Sequence, residues 1–525
     1  MHSNLHIFKG ENRKKIAVIG LMLPVLGSAV SCGASSAEMP TEISEIVGSS
    51  EQVRMNYTAP TQVPNILIDQ VGYETESEKA VVFRGKDLPE TFTVRDLQSG
   101  DVVYTGEILR VVYNDALSEY DSLGYFTGLK NEGSYYIYAD VVGESYSFDI
   151  KENIYNEVFD NACKKYYINR CGIALSENYA GDNAHSACHN TMARLQEDPA
   201  TQIDVSGGWH LDELAKRDTN LGSRIAENLL MAYEMNPSAF TDESGIPESG
   251  NGVPDILDEV KYEMDWLLKM QDSRTGGEYG AAVTDVEKGG DVFTAPVYVT
   301  PVDLGATISF ASAAARFSYF YQQYDSEFAT ACLKAADRAW SCFLNNQEAS
   351  RDTSAFKAAA QLYRATGADS YHQVLNGYFG RNDFNELFAT DENVFLGSIT
   401  YLSISQSVDV EVCTYLMRLL MRRAENIAQE SSASTYLVTD VSTDSFEKML
   451  DDMRCLTITD HIIYNHEYTT IIENHAHFLM GMNPKAVNYV TNDTQGNYEN
   501  AGVSGVVNDP GNTAMLIFML SVLKK

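Results

Sequence analysis

Basic residues are scarce in this chain. Its 525 residues hold 38 Lys and Arg against 73 Asp and Glu, a formal charge of −35, and no cluster of Lys and Arg after the first fifteen residues can follow a phosphate backbone. Nucleic acid is therefore not an expected partner, whereas a neutral ligand such as a sugar fits the charge. No GxSxG elbow, P-loop or strand-borne GxGxxG is present, so the sequence signs of serine hydrolases and nucleotide binders are missing and no organic cofactor is expected. Past Tyr155 there is no strand-rich segment and no repeat of fixed period, which argues against a solenoid. Tryptophan occurs only at 209, 266 and 340.

With 44% hydrophobic residues, a chain of 525 can bury a large core and suggests two or three domains. The first 32 residues place Lys9, Arg13, Lys14 and Lys15 ahead of the apolar run Ile16–Val30, which is too short and too Pro-interrupted to span a bilayer. This pattern predicts an export signal, with the mature protein extracellular or on the cell surface. "SAVSC" resembles a bacterial lipoprotein signal, in which Cys32 carries a lipid that is the chain's sole membrane contact. Residues 33–62 are small, polar and acidic, a composition that predicts a flexible tether.

From 63 to 152, short alternating runs such as "KAVVFRG", "TFTVRDL" and "GSYYIYADVV", separated by Gly, Asp and Asn, predict an antiparallel sandwich. From 153 to 525 the period becomes helical. In "PDILDEVKYEMDWLLKMQD" Ile256, Leu257, Val260, Met264, Leu267 and Leu268 share one face, and amphipathic stretches recur at 157–170, 221–235, 303–323, 326–345, 354–366, 407–429, 466–481 and 512–523. Long helices without a repeat favour a closed toroid of helical hairpins, a mainly α fold, expected to be monomeric.

Two features carry chemistry. "DVSGGWHLDELAKRD" (204–218) runs two glycines, Trp209 and His210 into adjacent acids, Asp212 and Glu213. Cys171, Cys188, His189 and His210 offer two thiolates and two imidazoles, the set a tetrahedral structural zinc takes, although Cys171 and Cys188 can equally form a disulfide or lie buried as free thiols. Cys163, Cys332, Cys342, Cys413 and Cys455 are odd in number and read as small core residues.

The motifs "NGVPDILDEVKYEMDWLLKMQD", "ILIDQVGY", "YYINRCGIAL", "HSACH", "VSGGWH", "AAAQLYRATG" and "FLMGMNPKAVNYV" stand in an order that resembles glycoside hydrolase family 9, the inverting cellulases, over about 63–525. The resemblance implies an Ig-like sandwich followed by an (α/α)6 barrel, and hydrolysis of β-1,4-glucan, cellulose or a related plant polysaccharide by single displacement between two carboxyls. It implies that zinc is held by Cys171, Cys188, His189 and His210, and that calcium is a further candidate at the acidic loop Glu248–Glu259. In the family, aspartates follow the tryptophan of the GGW loop, and an ungapped match puts Leu211 and Leu214 under them; Val506 falls under the family's proton donor. The candidate carboxyls are then Asp212, Glu213 and Glu499, with Asp218 a more distant substitute on the loop and Asp509 an alternative to Glu499. Trp209, Tyr279 and Tyr298 are the expected sugar contacts. Trp266 and Trp340 read as core, His475 and His477 as a pair at a solvent edge, and Asp258 and Glu259 as ties of the 254–270 helix. A carbohydrate-binding protein that keeps the cleft without turnover is the alternative.

Overall fold

The computed structural model describes residues 57–288, 290–346, 352–491, 495 and 506–525. The export signal with Cys32, most of the tether and Glu499 lie outside these residues.

The first strands are β1 (Ile66–Leu67), β2 (Gly72–Tyr73), β3 (Ala80–Arg84), β4 (Thr91–Asp96), β5 (Val102–Glu107), β6 (Val112–Asn114), β7 (Glu119–Tyr125), β8 (Gly133–Ala139), β9 (Gly143–Glu144) and β10 (Phe148–Ile150). They form two sheets, β1-β3-β7-β6 and β2-β10-β8-β4-β5, with β9 added to β8. Alternation turns Phe83 of one sheet and Phe92 of the other inward, their ring centroids 5.2 Å apart. Gly124 on β7 makes room for them, since a Cβ there would sit 2.6 Å from the Phe92 ring and 2.9 Å from that of Phe83.

Helices follow: α1 (Asn156–Ile168), α2 (Glu177–Ala180), α3 (Thr219–Met235), α4 (Asp255–Lys269), α5 (Leu304–Tyr321), α6 (Ser326–Leu344), α7 (Ser354–Thr366), α8 (Asp369–Phe379), α9 (Phe384–Thr390), α10 (Glu392–Leu402), α11 (Val410–Ala433), α12 (Glu447–Ile462), α13 (His466–Leu479) and α14 (Pro510–Leu520). α3 packs on α5, α5 on α7 and α7 on α10, while α14 joins α12 back to α3. Between α10 and α12 the inner ring is closed by an ion pair, Arg454 to Glu392 at 3.0 Å. Six long helices, α1, α4, α6, α8, α11 and α13, alternate with these in the chain. The fold is an (α/α)6 barrel behind a β-sandwich.

Helices α8, α9, α10 and α12 go beyond the sequence pattern. α10 is buried from Val394 to Leu402, so it has no polar stripe to produce a helical period. The expectation of no strand-rich segment past Tyr155 is also corrected. β11 (Ala193–Leu195), β12 (Gln202–Ile203), β13 (Arg217–Asp218), β15 (Ala281–Thr284) and β16 (Val297–Val299) form one small sheet, and β14 (Glu278–Tyr279) pairs with β17 (Val302–Asp303). These strands have two to four residues, too few for an alternation to register.

Sandwich and barrel meet over buried polar groups. His477 Nδ1 of α13 lies 2.8 Å from Asp69 Oδ2, and both side chains are fully buried. The other Asp69 oxygen accepts from the N–H groups of Val71 and Gly72. Burial raises the Asp69 pKa, and the bond to His477 opposes that rise. The expectation of a solvent-edge histidine pair is therefore corrected: His475 is also buried, bonded through Nδ1 to the Ile471 carbonyl while Nε2 accepts from Thr439 N. An acid on the sandwich supplied His477 with a partner that its own helix could not reveal. Asp69→Ala strands a buried imidazole and is expected to cost about 3–5 kcal/mol in a denaturant melt.

Candidate functional site

The GGW turn is shaped by its glycines. Gly207 and Gly208 have φ of +105° and +77°, and a Cβ on Gly208 would lie 2.6 Å from the Trp266 ring. The turn delivers Trp209 to the interior, where its ring packs on Tyr166 at 4.8 Å and its backbone N–H donates to Glu263 Oε2 at 2.9 Å. Trp209 is fully buried, so its expected role as a sugar contact is corrected. Burial pushes the Glu263 pKa up to about 8, against the pull of the Trp209 N–H and of Arg217. Burial favours the neutral acid behind the turn.

Arg170 and Trp209 form a β-bridge, with Cys171 N donating to Gly208 O and His210 N to Asn169 O, both at 2.8 Å. That bridge sets Cys171 beside His210. Cys188 and His189 complete a cluster whose ligand atoms all lie within 4.8 Å of one another. The sulfurs are 3.7 Å apart, Cys171 Sγ is 3.3 Å from His189 Nδ1, and Cys188 Sγ is 3.6 Å from His210 Nε2. A disulfide needs about 2.05 Å. Metal–sulfur bonds of about 2.3 Å in a tetrahedron put the sulfurs about 3.8 Å apart, so this donor set fits a metal. His189 spends Nε2 on the Val292 carbonyl at 2.8 Å, which turns Nδ1 toward the sulfurs. Behind the cluster Arg170 is clamped by Glu259 at 2.9 Å and Glu248 at 2.9 Å, tying this segment to α4 as expected of Glu259. Burial drives Glu259 up to about 7, with Arg170 opposing it. Elsewhere in the acidic loop, Asp255 accepts from Ser249 and Asp258 from Asn251.

A cavity of about 610 Å³ opens at the first turns of α3, α10, α12 and α14. Its floor is a chain of alternating charge running Arg224, Glu392, Arg454, Asp451, Arg423. Burial opposes ionisation of Glu392, yet Arg454, Lys357 and Arg224 hold it down at about 2. No described residue lining this cavity is aromatic. A second cavity of about 430 Å³ is lined by Tyr279 together with Glu197, Asp198, Asp272 and Arg274. Tyr298 lines neither cavity; it is half-buried on β16, paired with Arg194 and Val283.

Asp212 and Glu213 are exposed on the loop leading to α3, outside the lining of both cavities. Asp212 Oδ1 accepts from Leu214 N and Lys216 N, each at 2.9 Å. Asp218 caps α3 and pairs with Lys216. Of the two leucines in the loop, Leu211 is buried and Leu214 is 52% exposed. Sequence reasoning missed the ionic floor of the larger cavity. Its one visible sign was Arg454, a lone cation beside the apolar run "CLTIT".

Two outcomes test this geometry. A raised carboxyl pKa stabilises the fold fully below the ordinary value near 4.5, and that contribution is lost as pH climbs toward about 8. Glu263→Gln keeps an acceptor for Trp209, so its melting temperature relative to wild type is expected to rise steadily from pH 5 to pH 8. Co²⁺ is expected to bind at about one equivalent with the visible absorption of a tetrahedral thiolate site, and Cys188→Ser is expected to abolish that absorption and lower the melting temperature.

Residues 155–501 match the family described as Glycosyl hydrolase family 9, and residues 61–144 match the Cellulase N-terminal ig-like domain. Endoglucanase D of Acetivibrio thermocellus is 28% identical over 321 residues, covering 58% of this chain and 49% of that protein. The Cellodextrinase of Butyrivibrio fibrisolvens is 26% identical over 480 residues, 83% of this chain and 86% of its own. The Xyloglucan-specific endo-beta-1,4-glucanase BoGH9A of Bacteroides ovatus is 29% identical over 357 residues, 59% of each. The chain spans about half the length of Endoglucanase D. Among solved structures, a metagenome-derived glycoside hydrolase family 9 endoglucanase superposes with a TM-score of 0.75 at 23% identity, over 87% of this chain and 98% of that one, a likeness of fold. With well over half of its length inside the family match, the chain belongs to glycosyl hydrolase family 9.

Proposed function

We propose that this chain hydrolyses β-linked glucan, cellulose or a related plant polysaccharide, with inversion at the anomeric carbon. The observation that carries this reading is the 610 Å³ cavity at the starts of α3, α10, α12 and α14; the loop that bears Asp212 and Glu213 leads into the first of these helices. A cavity of this size takes a short stretch of sugar. Inverting hydrolysis needs one carboxylate to deprotonate a water and one carboxyl to protonate the departing oxygen, with room for the water between them. Asp212 and Glu213 are the loop's candidates for one of these roles. Glu499, the sequence candidate for the other, lies outside the described residues. Tyr279 offers a sugar platform in the second cavity.

Zinc is the metal we assign to Cys171, Cys188, His189 and His210. Two thiolates and two imidazoles leave no open position, so the ion is structural and pins the GGW loop rather than activating water. Export, with Cys32 as a lipid anchor and the barrel working as a monomer outside the cell, completes the reading. Among the described residues no helix is long and apolar enough to cross a membrane.

A second reading is favoured by one feature. Leu211, Leu214 and Val506 stand where the family resemblance places carboxyls, and Val506 is buried. A protein that binds glucan without turning it over fits those side chains. The experiment that separates the readings follows cello-oligosaccharides, mixed-linkage β-glucan and xyloglucan by reducing-end release and by anomeric proton NMR, with binding measured in parallel. Hydrolysis is expected to give the α anomer first, and the double variant Asp212→Ala, Glu213→Ala is expected to lower the rate by about 10²–10⁴-fold. Binding with no product on any substrate would establish the second reading instead.

A further inference from the structure

Resting on the reading of glucan as this chain's ligand, we propose that Phe293 is a sugar platform on the flank of the GGW loop, stacking a pyranose unit that lies outside the 610 Å³ cavity. Phe293 is 43% exposed, the one exposed phenylalanine among the described residues. It stands on the turn between β15 and β16, whose base is closed by Asp285 N donating to the Pro296 carbonyl at 2.8 Å. Asp291 Oδ1 accepts from the N–H groups of Phe293 and Thr294 at 2.9 and 3.1 Å, and Gly290 turns the chain at a φ of +101°. The ring is thus fixed in place before anything binds. A platform needs that rigidity, because a ring already fixed loses little freedom when a sugar stacks on it.

Further contacts set the ring beside the GGW loop. The Phe293 carbonyl accepts from His189 N at 3.4 Å, and the preceding carbonyl, that of Val292, is bonded to His189 Nε2 at 2.8 Å. The ring stacks on His185 with centroids 5.0 Å apart and planes at 22°, and its centroid lies 5.9 Å from that of His210. His210 follows Trp209 directly in the loop that goes on to Asp212 and Glu213. The base of the same hairpin meets this loop again. Thr284 Oγ1 lies 3.5 Å from the Ala215 carbonyl, and β15 pairs with β13 through Ala282 and Arg217. From there the chain enters α3, whose Leu221 and Arg224 line the cavity. Ring, loop and cavity therefore follow one another along the chain that leads into α3.

Burial of Trp209 leaves the GGW loop without a stacking face of its own, and no described residue lining the cavity is aromatic. Phe293 supplies the missing face, on which the C–H side of a β-linked pyranose can pack. Beside it, His185 spends Nδ1 on the Ser186 carbonyl and Asp291 spends Oδ1 on the turn. His185 Nε2 and Asp291 Oδ2 have no hydrogen bond to a described residue and are left for the sugar hydroxyls. Because the stacked unit lies outside the cavity, the contact acts on affinity and not on bond cleavage.

The test measures affinity of the full chain for a thio-linked cellotetraose, which resists hydrolysis, by calorimetry, alongside kcat and KM on cello-oligosaccharides. Phe293→Ala is expected to weaken binding about tenfold and raise KM to match, with kcat within about twofold of wild type. Phe293→Trp is expected to restore both, which a merely structural role would not do. The melting temperature and the Co²⁺ absorption of Phe293→Ala are expected to match wild type, since the turn holds His189 through backbone carbonyls. Binding by Phe293→Ala within about twofold of wild type would overturn the proposal and leave the hydrolytic reading standing. Equal loss of affinity in Phe293→Trp would overturn it as well. A wild-type chain that binds the analogue through Phe293 but releases no product removes the hydrolytic reading and keeps this one, and a wild-type chain that does not bind the analogue removes this one.

Discussion

Helix starts that gather at one rim leave unpaired N–H groups there, and most of the open face answers that need. Asp218, Asp303, Asp391 and Asp509 cap α3, α5, α10 and α14, each accepting from a backbone N–H of the helix it precedes. Neighbouring starts are also joined to each other. Thr219 reaches the carbonyl of Tyr279, whose strand pairs with the residues that lead into α5, and Thr353 at the head of α7 reaches the cap of α10. The acidity of the rim is thus first a requirement of the backbone, and a ligand meets carboxylates already oriented by helices.

Below the rim the barrel axis is polar rather than oily. Glu227 binds Lys357 and accepts from Ser312, and deeper still Glu234 is held between Arg316 and Arg364. Pairs this deeply buried add little net stability, because desolvation offsets their attraction, yet losing one partner is costly. They restrict how the inner helices rotate against one another. Arg454 shows the same logic at the cavity floor, where it joins α12 to α10 and to Asn228 of α3.

The sequence carried the architecture because outer helices and sandwich strands each bury one face and leave a period behind. α4 and the strands "KAVVFRG" and "TFTVRDL" are examples. α10 and α12 did not register for the opposite reason, being enclosed on nearly all sides. The four metal ligands were legible as residue types, and the bridge between Arg170 and Trp209 explains why residues distant in the chain converge. Trp209 misled because a tryptophan after two glycines resembles an exposed platform, while the strained turn points it inward. The cavity floor could not be read, since Arg224, Glu392, Arg423 and Arg454 come from four helices and share no spacing.

The two ends of the described chain are fastened together. Gln70 donates to the Ala486 carbonyl, Arg84 to that of Pro484, Asp69 meets His477, and the final lysine reaches both Asn156 and Glu74. Contacts separated by some four hundred residues carry a large loop-closure cost and form late. Sandwich strands and inner helices can form one by one, but they lock together only when the segments around residues 70 and 480 meet. The junction between sandwich and barrel is therefore the part of the molecule whose formation waits on the widest separation in the chain, and until it forms the two layers are held to each other by few other ties.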